Sequence, residues 1–182
     1  MLRTDQALRQ GGSRGQAEPV RQRAGKTTTI KLLTGLLRPT SGSARKKGIS
    51  VQERPIEVKR IIGYVPDNPF LYEKLTGWEF LSFMADLYSV PLAGRAERME
   101  ELLTRFELME KRDELIQGYS RGMRQKIALA GALIHDPAVI FLDEPTVGLD
   151  PKAARMMKDV LRGRCAKGGT VFVSTHILDV AE

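Results

Sequence analysis

The sequence predicts an α/β protein in which a parallel sheet is interrupted by a helical insert. Short apolar runs typical of strands occur near residues 61–65, 138–142 and 171–173, and helical periodicity fills most of the chain between them. Strands that alternate with helices favour parallel pairing, because each helix returns the chain across the sheet. Largely helical patterning over residues 77–134 separates the first strand from the second and predicts the insert.

The first predicted helix covers residues 26–37. Pro39, Gly42 and Gly48 then indicate a stretch rich in turns, followed by short runs of strand type that end at residue 65. The apolar residues that recur at helical spacing in this first helix are Ile30, Leu32, Leu33, Leu36 and Leu37.

Three helices are predicted in and after the insert. Thr76 and Glu79 have the spacing of a capping box, so one helix is expected to begin at Gly77. A second covers about 95–108, and a third follows Ser120. The predicted apolar faces are Trp78, Leu81, Met84, Leu87 and Tyr88; Met99, Leu102, Leu103 and Phe106; and Met123, Ile127, Ala130 and Ile134.

The last predicted elements are two strands with a helix between them. The strand at 138–142 is followed by a helix with Asp150 as its N-cap and Pro151 at its first helical position. The strand at 171–173 comes next. This strand, helix and strand in succession predict one parallel unit.

The composition excludes several classes of protein. Of 182 residues, 42% are hydrophobic and 28% are charged, which supplies a core and differs from the composition of disordered chains. The sequence has no apolar run of the roughly 20 residues that a membrane helix requires. Cys165, the single cysteine, cannot form an intrachain disulfide and matches no zinc-binding spacing, so a reducing cytoplasm is predicted.

The net charge of +7 is unevenly distributed. Residues 1–24 contain several arginines and no aromatic residue, and the rest of the chain has no basic block interleaved with aromatics. Proteins that bind single-stranded nucleic acid combine a positively charged groove with aromatic side chains on which the bases stack. We therefore expect no direct contact with nucleic acid.

The segment AGKTT at residues 24–28 has the form of the second half of a phosphate-binding P-loop. The amides and dipole of a helix N-terminus would face the phosphates, Lys26 would reach them, and Thr27 would ligate Mg²⁺. Taken alone, the segment fits equally well a glycine beside a lysine at the start of an ordinary helix.

A second motif, AVIFLDE at residues 138–144, is an apolar strand that ends in two carboxylates. In P-loop proteins the first such acid holds Mg²⁺ through water, and the second can polarise the attacking water. Acidic residues after strands are common, so this motif alone also has an ordinary explanation. The two motifs together are improbable by chance.

Three further segments complete a family pattern. They are YSRGMRQ at 119–125, GLDP at 148–151 and STH at 174–176. In this order, residues from about 24 to 182 resemble the nucleotide-binding domain of an ATP-binding cassette (ABC) protein. The segment YSRGM at 119–123 is a variant of the family's signature motif. Together with LTG at residues 75–77, it is similar to the ATPase subunits of bacterial ABC-2 type exporters.

The resemblance implies a P-loop NTPase fold of the RecA-like type, with a parallel sheet core and a helical subdomain. The core would comprise residues 25–75 and 121–182, and the helical subdomain residues 76–120. The fold is expected to be incomplete at both termini, because the family's later strands and helix are missing after Glu182. Residues 1–24 are expected to be disordered or to come from a shifted reading frame.

The resemblance also implies roles for single residues, with ATP and Mg²⁺ as cofactors. Thr27, Asp143 and Asp67 would hold the metal, Glu144 would act on the hydrolytic water, and His176 would contact the γ-phosphate. The residues that would bind the nucleotide are Gly25, Lys26, Thr27, Thr28, Asp67, Ser120, Gly122 and Asp150.

Two protein partners are implied as well. Ser120 and Gly122 would bind the ATP of a second ABC ATPase subunit, in a homodimer or heterodimer, and Asp150 would couple the two sites. Helices in 77–118 would dock on a membrane permease subunit, placing the chain at the cytoplasmic face of the cell membrane. This arrangement would use ATP to drive export.

The chain departs from the family at its P-loop. A full P-loop has glycine at the position of Val20, and the family also has glycine at that of Arg23. A branched and a long side chain there resist the backbone conformations that bring amides close to phosphate. Nucleotide binding is therefore expected to be weak.

A P-loop also follows a buried strand, and residues 17–23, AEPVRQR, contain no legible strand. The family's adenine-stacking aromatic is missing from 1–24 as well. We expect an unfilled position in the sheet, with Val139, Phe141 and Val173 partly uncovered. Asp67 stands where the family usually has glutamine, and its carboxylate can still bind Mg²⁺.

Two alternatives remain open at this point. A soluble ABC ATPase that works on ribosomes or DNA would share the fold without a transporter. An inactive truncated remnant would share the motifs and bind nucleotide poorly.

Overall fold

The structure is a computed structural model that describes residues 25–147 and 149–175. The chain forms two compact units with the boundary between Lys59 and Arg60. The expectations for residues 1–24 and for His176 lie outside the described residues. The division into core segments 25–75 and 121–182 and a helical subdomain 76–120 stays a prediction.

The first helix described in the first unit is α1, Lys26–Leu33. This helix is shorter than the predicted 26–37, because Gly35 adopts a left-handed backbone with φ of 73°. The amide of Leu36 then bonds back to the carbonyl of Lys31 at 2.8 Å, which closes the helix end. Two short antiparallel strands follow, β1 at Arg45–Lys46 and β2 at Ile49–Ser50. Helix α2, Pro55–Ile61, leads into the second unit.

The second unit contains a three-stranded sheet. Its strands are β3 at Ile62–Val65, β4 at Val139–Asp143 and β5 at Thr170–Ser174, in the order β3-β4-β5. Both pairings are parallel, which confirms the predicted α/β architecture. Val65 pairs with Leu142, and Asp143 pairs with Ser174. The carboxyl ends of all three strands therefore lie along one edge.

Three helices of the second unit pack around one apolar core. They are α3 at Gly77–Leu87, α4 at Arg95–Arg105 and α5 at Arg121–Leu133, with single 3-10 turns at Met109–Lys111 and Ile116–Gly118. The capping box is confirmed: the Glu79 amide donates to Thr76 Oγ1 at 3.2 Å, and the Thr76 amide donates to Glu79 Oε2 at 2.9 Å. The Ile116 amide donates to the Leu75 carbonyl at 2.9 Å, which ties the end of the insert to its start.

The predicted apolar face of α4 is confirmed, because all four of its residues are buried. The face predicted for α3 is wrong at Leu87, which is 63% exposed, and it omitted Phe80 and Ala85, which are buried. Successive helical residues are rotated by about 100°, so Leu87 lies on the side of α3 opposite to Ala85. The stripe that packs follows Phe80, Leu81 and Ala85.

The expectation of uncovered strands is wrong for Phe141, which is buried. Its ring packs against that of Phe172 with centroids 5.7 Å apart, and Phe172 is the more exposed of the two. Val139 and Val173 are half-buried. The expected partial exposure is confirmed at Val139 and Val173, whereas the more exposed Phe172 was not among the predicted residues.

The sheet and helix α5 approach each other closely at Gly63. A Cβ atom there would lie 2.6 Å from the carbonyl oxygen of Ala132, so no larger residue fits without a backbone shift. Helix α6, Pro151–Ala166, connects β4 to β5. Its predicted N-cap is confirmed, because Asp150 Oδ1 accepts from the Ala153 amide at 2.9 Å. Among the described residues, no helix is long and apolar enough to cross a membrane.

His135, just beyond α5, joins the helices to the sheet. Its ring stacks on Tyr88 at 3.6 Å, and its Nε2 donates to the carbonyl oxygen of Ile62 at 3.0 Å. Burial lowers the pKa of His135 from its ordinary 6.5, against the opposing effects of the Ile62 carbonyl and Asp136. Arg164 nearby lowers the pKa further.

We expect the second unit to lose stability as the pH falls through the ordinary histidine pKa of 6.5. The unfolded chain binds the proton more readily than the folded one, so protonation favours unfolding until the lower folded pKa is passed. Urea unfolding midpoints at about pH 7.5 and about pH 5.5 measure this loss. His135→Phe keeps the stack on Tyr88 without a titratable ring. An equal pH dependence in that variant would contradict the assignment to His135.

Candidate functional site

The predicted phosphate-binding residues of the first unit lie at the start of α1. Gly25 is the N-cap and has a φ of 95°, a left-handed conformation that glycine adopts without a steric penalty. Thr27 and Thr28 are exposed, and Lys26 is half-buried. The first N–H groups of a helix point out of its N-terminus, where they can bind an anion.

The predicted acids of the second unit lie along the carboxyl edge of its sheet. Asp143 is the last residue of β4 and is 4% exposed. Asp67 is exposed and follows β3 by two residues. Because Val65 is paired with Leu142, the segment that continues β3 leaves the sheet at the same edge as Asp143. The edge therefore collects carboxylates from two neighbouring strands.

Glu144 has a constrained backbone. Its φ is 49°, in the left-handed region that costs a residue other than glycine roughly 1–3 kcal/mol. The Glu144 amide donates to the carbonyl of Ser174, at the end of β5, with a distance of 2.8 Å. Beyond β4 the chain is thus held to β5, which fixes the backbone from which the Glu144 carboxylate extends.

The charge on Asp143 acts on Tyr64 of β3. Burial raises the pKa of the Tyr64 hydroxyl, and the negative charge of Asp143 raises it further. Tyr64 therefore remains protonated and can act as a hydrogen-bond donor at this edge. Tyr64 lies in the strand predicted near residues 61–65, and no functional role was predicted for it. Its position two residues before Pro66, where the strand ends, was the available signal.

The N-termini of α5 and α6 lie close together. Ser120 caps α5, because its Oγ accepts from the Met123 amide at 3.2 Å. A Cβ atom on Gly122 would lie 3.6 Å from Leu149 Cδ2, so the start of α5 contacts the segment that leads into α6. Hydrogen bonds, chiefly from the Ala153 amide, lower the pKa of Asp150. The structure therefore brings Ser120 and Gly122 next to the segment that ends at Asp150.

Two buried polar residues lie in or beside these motifs, and no role was predicted for either of them. Gln125 on α5 and Thr146 after β4 are both more than nine-tenths buried. Within the described ranges, Gln125 Nε2 and Thr146 Oγ1 have no hydrogen-bond partner. An unpaired buried polar group costs about 1–3 kcal/mol. Their positions inside or directly beside the motifs were the signal that could have identified them.

The carboxylates do not form a metal cage of their own. Over residues 25–147 and 149–175, no group of three or more His, Cys, Asp or Glu side chains could hold a metal ion. Magnesium usually takes one or two protein carboxylates and completes its shell with water and substrate phosphates. The carboxylates of the buried Asp143 and of Asp67, which follows β3 by two residues, are hard oxygen donors that fit this requirement.

Comparisons with known proteins agree with the motifs. The sequence profile of the ABC transporter family matches residues 23–147. An uncharacterized ABC transporter ATP-binding protein of Nostoc sp. is 41% identical over 161 residues, which are 87% of this chain and 48% of that protein. The daunorubicin/doxorubicin resistance ATP-binding protein of Streptomyces peucetius is 40% identical over 159 residues, with the same coverage of 87% and 48%.

A further relative, the SkfA peptide export ATP-binding protein of Bacillus subtilis, is 38% identical over 86% of this chain and 64% of its own length. A solved structure of an ATP-binding subunit of an ABC transporter superposes with a TM-score of 0.81 at 35% identity. The superposition covers 86% of this chain and 65% of that one. The chain thus spans about half the length of the Nostoc and Streptomyces relatives. The matched profile, the identities and the shared fold together establish that this chain belongs to the ABC transporter family.

Proposed function

We propose that this chain is the ATP-binding subunit of an ABC transporter and hydrolyses ATP to drive export through a separate membrane subunit. The observation that supports this proposal most directly is made at the carboxyl edge of the sheet. There the buried Asp143 ends β4, and a hydrogen bond from the Glu144 amide to the Ser174 carbonyl holds the backbone of Glu144. The Streptomyces and Bacillus relatives, named for drug resistance and peptide export, support the direction of transport. They do not favour the non-transport ATPase or the inactive remnant.

The first residues of α1 bind the phosphates of ATP in this proposal. The left-handed Gly25 begins the helix, and Lys26 adds a positive charge beside the helix N-terminus. Thr28, one position further, adds an exposed hydroxyl. Because Val20 and Arg23 replace glycines of a full P-loop, binding rests on these residues more than in other family members.

Thr27, Asp143 and Asp67 are the residues that would hold Mg²⁺. Magnesium bound with ATP supplies positive charge that offsets the charge of the reacting phosphates. Asp143 is suited to this role because its carboxylate is buried, where an interaction with a cation is weakly screened. Asp67 is exposed and one methylene shorter than the glutamine usual at its position.

Glu144 positions the attacking water and accepts its proton. Its backbone is fixed by the bond to Ser174, so the carboxylate needs little reorganisation to act as a general base. His176 contacts the γ-phosphate and completes the water site. Tyr64, protonated at this edge, is available as a further donor.

A second ATPase subunit, identical or different, completes the site. Ser120 and Gly122 at the N-terminus of α5 bind the γ-phosphate held by the other subunit, which the helix dipole favours. Asp150 lies beside them and couples the two sites across the interface.

The membrane subunit docks where β3 leads into α3. Phe70 is 96% exposed, and the rings of Tyr72 and Phe83 pack edge to face at 5.0 Å. Tyr72 and Phe83 border a groove of about 560 Å³ that Leu71 and Leu75 also line. Exposed apolar surface of this kind is typical of interaction sites, and it follows Asp67 directly along the chain. Docking here places the protein at the cytoplasmic face of the cell membrane.

Nucleotide binding by the full chain tests the proposal. We expect Lys26→Ala to weaken the binding of a fluorescent ATP analogue with Mg²⁺ by about tenfold or more, because a hydrogen bond to a charged group is lost. Lys31→Ala removes an exposed lysine from the same helix and is the matched control. Failure of the wild-type chain to bind ATP, or equal binding by the Lys26 variant, would refute the proposal.

A further inference from the structure

A basic groove runs along the outer side of α6. It has a volume of about 470 Å³ and lies entirely within the second unit. The groove is defined by Arg105, Lys152, Arg155, Met156, Asp159, Val160, Gly163 and Lys167. None of these residues belongs to the nucleotide site proposed above. The groove follows successive turns of the helix and is therefore elongated.

The α6 groove has more basic than acidic lining residues. Asp159 is its single acidic residue. Arg105 and Lys152 are partly neutralised, because they pair with Glu101 at 3.6 Å and Glu107 at 2.6 Å. Arg155 and Lys167 form no ion pair within the part of the chain that the structure describes. Two cations at the groove are thus left for an external anion.

The floor of the groove is apolar. Met156 is half-buried and Val160 is buried, and both pack with the core of the second unit. A ligand that occupies the groove therefore contacts apolar side chains at the floor and cations at the rim. This combination fits an amphipathic ligand better than a simple anion.

Gly163 widens the middle of the groove. It lies inside α6, where glycine costs about 1 kcal/mol relative to alanine. No packing reason requires glycine there, since a Cβ atom would have nothing within 4 Å and the φ is not positive. The missing side chain leaves the helix backbone open to the groove. A partner can therefore approach closely at this position.

We propose that the α6 groove binds an acidic amphipathic helix of a partner protein. A helix laid into an elongated groove can place apolar residues on Met156 and Val160 and carboxylates beside Arg155 and Lys167. A membrane surface is flat and does not fill a concave groove. Single-stranded nucleic acid binds by stacking on aromatic rings, and no aromatic residue lines this groove.

Fluorescence anisotropy of the full chain without nucleotide tests this inference independently of the proposed ATPase function. The probe is a labelled peptide of about 16 residues, the length of α6, built from Glu, Leu and Ala in helical register. A peptide with Lys in place of every Glu controls for apolar binding. Vesicles of phosphatidylcholine with phosphatidylserine, and oligothymidylate, represent the other anionic partners.

We expect binding of the acidic peptide and little binding of the lysine peptide. The double variant Arg155→Glu, Lys167→Glu should bind the acidic peptide about tenfold or more weakly, because the carboxylates that replace the two cations repel the peptide. Gly163→Ile fills the groove without a change of charge and should also weaken binding. Arg162→Glu reverses an exposed charge on α6 outside the groove and should have a smaller effect than Arg155→Glu.

The outcomes separate the proposal from its rivals. Equal loss in the Arg162→Glu variant, or unchanged binding in the Gly163→Ile variant, would indicate general electrostatic attraction and would contradict binding in the α6 groove. Binding of vesicles or oligothymidylate through Arg155 and Lys167, without binding of the acidic peptide, would contradict the proposal that the groove binds a partner protein. Thermal unfolding of each variant shows that it is folded. Gly163→Ala, which should stabilise α6 and weaken binding less than Gly163→Ile, controls for changes in the helix.

Discussion

Replacing Glu144 by glutamine is expected to lower the rate of ATP hydrolysis by about 10²–10⁴-fold, the contribution typical of a general base. Glutamine has nearly the same shape as glutamate, so the backbone at a φ of 49° and its amide bond to Ser174 are retained. The groups proposed to hold the phosphates are unchanged. ATP binding should therefore persist while turnover is lost, which separates the two steps.

Single-turnover phosphate release measures this loss, because Val20 and Arg23 in the P-loop are expected to make the wild-type rate low. Glu97→Gln removes an exposed carboxylate on α4 and should leave the rate unchanged. The wild-type rate should also rise with protein concentration if, as proposed, two subunits complete each site. An unchanged rate of phosphate release in the Glu144→Gln variant would contradict the proposed role of this residue.

Replacing Phe106 by alanine is expected to lower the free energy of unfolding by about 3–5 kcal/mol. Phe106 follows α4 directly, is fully buried, and belongs to the same core as Leu102 and Ile116. Truncation removes the apolar contacts of the ring and leaves a cavity that close-packed neighbours fill only in part. Urea unfolding followed by circular dichroism measures the change.

Leu87→Ala is the matched control for Phe106→Ala. Both residues belong to apolar faces predicted from the sequence, and Leu87 is 63% exposed. Its truncation should change the free energy of unfolding by no more than about 0.5 kcal/mol. Similar losses in the two variants would mean that Leu87 is covered in solution and that the structure of α3 is incorrect there.

The local elements were predictable because their signals act over a few residues. The capping box of Thr76 and Glu79 and the N-cap Asp150 each join groups three residues apart in the chain. The apolar face of α4 repeats with the helical period and is buried as expected. Such features need no knowledge of distant segments.

The candidate site was predictable as a set of residues rather than as a geometry. The motifs identified Lys26, Asp143 and Glu144, and the strand pattern placed the acids after a buried strand. The left-handed backbone of Glu144 was not predictable, because it is held by a bond to Ser174, thirty residues further along the chain. A related reason explains why no role was predicted for Tyr64, Gln125 and Thr146. The burial of Gln125 and Thr146, and the electrostatic effect of Asp143 on Tyr64, depend on neighbouring elements of the fold.

The sequence by itself determined where α1, α3 and α6 begin, which face of α4 is apolar, and which family the motifs resemble, because each depends on periodicity or on bonds between near neighbours. Only the tertiary structure decided which apolar residues are covered. It exposes Leu87, admits only glycine at position 63 against Ala132, and stacks Tyr88 on His135. These outcomes depend on contacts between segments far apart in the chain, and the steric fit between such segments is not encoded in any short pattern.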